Sequence, residues 1–255
     1  RLKISLPEKR FSYVILFNSI DKLFIICYYY SEVEEMNKSL FSLILSEDVV
    51  AAVDRLAYSR GTNRSNMVNQ ILAEYVSYIT PEKRMEDIFR RVEQLLGGGD
   101  TLQVLLRSSD SMINLRSALA YKYNPSVRYT VELYRIPGPC IGELKVYLRT
   151  QNSSLTLYMM QFYKLWKKLE DAYMPGCESQ IESGKYIRRL MLRDYDGKPV
   201  EDISTEIQAE VIAGYVSVFD RALKAFFYSI SDPKRAISDA EEIYLEYLRG
   251  SEITV

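Results

Sequence analysis

The chain has no histidine among its 255 residues. That removes the commonest general base near neutral pH and the commonest transition-metal ligand, which argues against a Ser-His-Asp hydrolase and against a nickel-sensing regulator. Cysteine is scarce: Cys27, Cys140 and Cys177 lie far apart with no Cys-x-x-Cys pair, a pattern that points to a reducing compartment and away from a zinc ribbon. No Gly-x-Gly-x-x-Gly or Walker-type loop occurs. The run Gly97-Gly98-Gly99-Asp100 lacks the lysine and hydroxyl that phosphate and magnesium need, so it reads as a hinge. Net charge is also lacking, because the two signs nearly cancel to −1. Any contact with nucleic acid must therefore come from a local basic face, or from backbone amides aimed at phosphates.

What is present is an ordinary globular composition, 47% hydrophobic and 26% charged, enough for a real core and one or two domains. The opening stretch FSYVILFNSIDKLFIICYYY is apolar but broken by Asn18, Ser19, Asp21 and Lys22, which makes a poor membrane span and a poor signal peptide. Met36 precedes the first well-patterned segment. Residues 1–35 therefore read either as translated upstream sequence or as a strand pair.

Ser39–Glu47 (SLFSLILSE) sets Phe41, Leu43 and Leu45 against Leu40, Ser42 and Ile44, the two-residue period of a strand. Ser46 then stands at a helix N-cap, followed by Glu47 and Asp48 in the first turn. The next residues place Val49, Val50, Val53, Leu56 and Ala57 at helical spacing and stop at Gly61, a left-handed cap. A second helix is expected after Asn63, with a stripe of Met67, Val68, Ile71, Leu72, Tyr75 and Val76, running on until Pro81 closes it. A strand and two capped helices in ~40 residues are too small to bury a core of their own. They look like half of a fold.

This stretch, residues 38–79, resembles the ribbon-helix-helix family of Arc and MetJ type. The resemblance implies a bacterial homodimer whose paired strands form an antiparallel ribbon in the major groove of double-stranded DNA. On that likeness Phe41, Leu43 and Leu45 face the helices, while Lys38, Leu40, Ser42 and Ile44 face the bases. The turn Gly61–Ser65, with Asn63, Arg64 and Ser65, matches the family's phosphate anchor, and free amides at a helix N-terminus suit that role in any case. Leu40 and Ile44 depart from the pattern, because apolar side chains offer a base edge no hydrogen bond. Dimerisation alone is the second reading of the module.

Thr80-Pro81 opens a linker helix whose stripe is Met85, Ile88, Phe89, Val92, Leu95 and Leu96. The helix reads either as a dimer-extending or inter-domain element or, through Arg84, Arg90 and Arg91, as a basic stripe touching DNA flanks, though acids interleave with it. Residues 100–255 read as an α+β domain. Strands are expected at 126–135 and 141–150 around Pro137-Gly138-Pro139, and a third at 186–193 before a turn at 195–198. Helices are expected at 153–173, 204–229 and 233–249. Tyr121, Tyr123, Tyr129, Tyr134 and Tyr147 line either a ligand pocket or a half-buried sheet surface or protein interface.

The expectation is thus an α+β chain organised as uncertain residues 1–35, a ribbon-helix-helix module at 36–80, a linker helix and hinge at 81–99, and an effector or oligomerisation domain at 100–255. Its function is expected to be that of a cytoplasmic transcriptional or plasmid-maintenance repressor, dimeric or higher in order, with no cofactor, no membrane association and no catalytic residues. A small-molecule or protein effector is expected at 100–255. The alternative is an antitoxin-like or adaptor protein that uses the module to dimerise.

Overall fold

A computed structural model describes residues 43–97, 102–105, 109–136, 138, 140–192 and 203–250. The chain divides into two compact units, residues 1–52 and 53–255. Residues 43–52 are the described part of the first unit. There, Leu43–Ser46 carry no regular element, and the carbonyl of Ser46 accepts the N–H of Val50 at 3.1 Å as a helix begins.

The helices are α1 (Glu47–Ser59), α2 (Arg64–Tyr75), α3 (Pro81–Gly97), α4 (Ser153–Tyr173), α5 (Thr205–Tyr228) and α6 (Pro233–Gly250). The strands are β1 (Leu102–Val104), β2 (Met112–Ala118), β3 (Ser126–Leu133), β4 (Gly142–Leu148), β5 (Ser179–Glu182) and β6 (Lys185–Leu190). The expected α+β class is therefore observed. All six strands join one antiparallel sheet in the order β1-β2-β3-β4-β6-β5.

Alternation along the strands makes the sheet one-sided. Ile113, Leu115, Val127, Tyr129, Val131, Leu144, Val146, Tyr186 and Leu190 are buried, and the residues between them are mostly open. The buried side meets α3, α4 and α5 in one core. Phe219 of α5 sits at its centre, with the rings of Phe162 and Trp166 at 5.4 and 5.0 Å between centroids. A fully buried phenylalanine contributes about 3 kcal/mol through its removal from water.

Three of the expected helices and the β3–β4 hairpin stand where the spacing put them. The strand expected at 186–193 is β6, and it ends at Leu190. The strands β1, β2 and β5 were not foreseen. Ser183 and Gly184 both have positive φ, 49° and 75°, and they form the two-residue turn that turns β5 back on β6 with the sheet's own twist. The second helix is shorter than expected. It stops at Tyr75, not at Pro81, because Ser77 adopts φ 55° and the N–H of Tyr78 reaches back to the carbonyl of Ala73 at 2.8 Å, a helix-ending bond pattern that needs no proline. The hinge residues Gly98–Asp100 and the turn expected at 195–198 lie outside the described residues.

Candidate nucleic-acid interface

The turn between α1 and α2 has the expected local chemistry. Gly61 has φ 61°, and the N–H of Thr62 bonds to the carbonyl of Ala57 at 2.9 Å, a pattern only a residue without Cβ adopts cheaply. Asn63 caps α2, its Oδ1 accepting the N–H of Asn66 at 2.9 Å. Ser65 is exposed on the first turn.

Arg64 is placed differently from a free phosphate ligand. Its Nε donates to Oδ1 of Asp54 and its Nη2 to Oδ2, both at 2.6 Å. The hydrogen bonds from Arg64 hold the Asp54 carboxyl below its usual range and hold the Arg64 guanidinium above its own. Both side chains remain largely in solvent, at 59% and 44% exposure, so an incoming phosphate competes with a screened pair, not with a buried one. Asp54 was not singled out from the sequence: it lies ten residues upstream, and only the fold of the turn brings it opposite Arg64.

Val53, Ala57 and Met67 form a small cluster, with Leu56 and Val68 packed on it, apart from the main core. Much of the apolar stripe expected to be buried is open. Ile71, Leu72 and Tyr75 of α2 and its cap residue Val76 are exposed. In residues 43–52, Leu43, Ile44, Leu45 and Val49 are exposed as well, Ile44 completely. Of the residues expected to face bases, Ile44 alone is described; Lys38, Leu40 and Ser42 lie outside the described residues.

The arginines of α3 do not form a basic stripe. Arg84 donates to the carbonyl of Tyr134 at 2.7 Å, Arg90 pairs with Glu86 and Asp87, and Arg91 pairs with Glu210. The five tyrosines do not converge either. Tyr129 is buried and donates to Asp220 at 2.8 Å, Tyr121 packs edge-on against Tyr158 and Phe227, Tyr123 is exposed, and Tyr147 lies on the open sheet face.

A buried polar hub lies inside the larger unit. Arg188 Nε bonds to Oε1 of Glu170 at 2.6 Å, and the hydroxyls of Tyr186 and Tyr215 donate to the same carboxylate. The Trp166 indole N–H donates to Tyr215 Oη at 2.9 Å, and Arg188 Nη2 lies 3.0 Å from Cys177 Sγ. Burial opposes the Arg188 charge, but Tyr215 and Glu170 overcome that and raise its pKa. Glu170 and Arg188 are 0% and 1% exposed, so no substrate reaches them. The hub is structural, a buried pair in which each charge is satisfied.

Among the described residues no helix is long and apolar enough to cross a membrane, and no group of acidic or cysteine side chains is arranged to hold a metal. No protein-family profile, curated protein or solved structure matches this chain.

Proposed function

We propose that the protein is a dimeric, sequence-specific DNA-binding regulator of transcription or plasmid maintenance, whose N-terminal strands pair between two copies into an antiparallel ribbon for the major groove. The observation that carries this reading is a capped helix pair whose apolar side chains are left uncovered. Burying them requires a partner, and a second copy supplies the matching surface by symmetry. The N-terminus of α2, with Asn63, Arg64 and Ser65, then anchors a backbone phosphate on each side. No catalytic step is assigned.

The exposed, apolar Ile44 favours one other reading, an adaptor or antitoxin-like protein that keeps the helix pair to dimerise. Duplex binding by the full chain separates the two. The probe is a DNA fragment from immediately upstream of its own gene, followed by fluorescence anisotropy at low and physiological salt, with sedimentation run in parallel. A dimer that binds with a steep salt dependence and outcompetes random DNA supports the regulator. A dimer that binds no duplex at either salt leaves the adaptor. A monomer overturns both.

A further inference from the structure

The helices cover one face of the sheet, and the other face gathers cations that the chain as a whole does not show in its net charge. Register places Arg116 of β2 directly opposite Arg128 of β3, Arg128 opposite Tyr147 of β4, and Tyr147 opposite Lys185 of β6. The row crosses four strands, a span of about 14 Å at the usual strand spacing. Arg149, just past the end of β4, lines the same cleft as Arg128, Tyr147 and Lys185.

Like charges facing each other across a strand pair are destabilising, and little here offsets the Arg116–Arg128 pair. Arg116 donates to the neutral Gln103 at 2.9 Å. The side chains of Arg128 and Arg149 make no hydrogen bond or ion pair with any other described residue. Lys185 lies over the Tyr147 ring, 5.7 Å from its centroid. Glu182 is its register neighbour at the sheet edge, but their side chains form no ion pair. Two residues further along β4, by contrast, Lys145 is neutralised by both Glu132 and Glu143. The imbalance is therefore confined to one end of the face. The face there is concave, a cleft of about 650 Å³ whose lining includes Arg128, Lys145, Tyr147, Arg149 and Lys185.

We propose that this cleft binds a nucleoside phosphate, either free or as a residue of a single strand. Guanidinium forks match phosphate oxygens two at a time, so Arg128 and Arg149 take the phosphate. The Tyr147 ring stacks on the base, and Lys185, on its flexible stem, turns from the ring to the phosphate as the base arrives. An unstacked base is required for that contact, which favours a single strand over a duplex. The inference is independent of the helix pair and of its duplex.

The test uses the full chain and a fluorescein-labelled oligothymidylate of about eight nucleotides, within the range such grooves occupy. Binding at low salt is expected. The double variant Arg128→Ala/Arg149→Ala should bind at least about tenfold more weakly, with a salt slope lower by about 1.4, the value for two lost phosphate contacts on a single strand. Tyr147→Ala should weaken binding about five- to tenfold without changing the slope, and Tyr147→Phe should restore it. ATP that displaces the strand identifies one nucleotide as sufficient, and ATP that fails to displace it identifies the strand, both within the proposal. Unchanged binding by the double variant or by Tyr147→Ala overturns it. So does absence of binding, or equal competition by a duplex of the same length. Near-ultraviolet circular dichroism of each variant confirms that the aromatic core is intact.

Discussion

Asp54 and Arg64 hold each other across the Gly61 turn through two parallel N–H···O bonds, so the cation nearest the N-terminus of α2 is already engaged by a carboxylate from α1. Asp54→Asn removes that competitor. Duplex affinity should rise about three- to tenfold at low salt and return to the parental value at high salt, where screening makes the difference small. Arg64→Ala should weaken binding to all sequences alike and flatten the salt dependence. Neither variant should move the thermal midpoint appreciably, because both groups are solvated. An anisotropy titration across a salt series, with a melting curve for each variant, reads all three effects.

The Glu170 hub makes a different kind of prediction. Glu170→Leu strands Arg188 in the core and leaves two tyrosine hydroxyls without their acceptor, at a cost of about 3–5 kcal/mol. Removing both charges together, Glu170→Leu with Arg188→Met, should cost distinctly less than the single change. Urea midpoints of the two variants decide it; equal losses would mean that the ion pair contributes beyond mutual compensation.

Alkali should unfold the protein more sharply than acid does. Burial raises the pKa of Tyr129, Tyr186 and Tyr215 well above the ordinary phenol value, and Tyr163 and Tyr244 are raised as well. A folded-state pKa above the unfolded one stabilises fully below the unfolded value and is lost as pH rises past it. Each such tyrosine adds about 1.4 kcal/mol per pH unit of slope above roughly pH 10. Without histidine, stability should vary little between about pH 6 and 9. Urea midpoints against pH test the shape, and tyrosinate absorbance should show a delayed fraction that appears only on unfolding.

Two glycines separate close approach from mere occupancy. A Cβ at Gly142 would overlap the carbonyl oxygen of Glu132 on β3, so Gly142→Ala should cost about 3 kcal/mol or more by prising β4 from its neighbour. At Gly214 in α5 the nearest atom to a Cβ is Tyr247 Cε2 at 3.8 Å. Gly214→Ala should therefore stabilise, by about 0.5–1 kcal/mol of helix propensity. Denaturant melts of the two variants should move in opposite directions.

Long periodic segments were legible and short edges were not. The boundaries of α4, Ser153–Tyr173, match those read from its amphipathic spacing, and β3 and β4 are visible in the alternation of SVRYTVEL and GELKVYL. β1 has three residues and β5 four, too few for a period to register. β2 has the length, but Asn114, Arg116 and the buried Ser117 dilute its pattern. At the helix pair, the Asn63 cap could be read because it depends on neighbours in sequence. The Asp54 partner could not, and the row from Arg116 to Lys185 even less, since it exists only after strand register has been fixed.

The joint after α2 has a consequence of its own. Residues 76–80 contain no glycine. Ser77 and Tyr78 donate back into α2, and Thr80 caps α3 by accepting the N–H of Lys83 at 3.2 Å. With those donors and acceptors already committed, α2 and α3 each end where the sequence sets them, and neither can lengthen into residues 76–80 without giving up bonds already made.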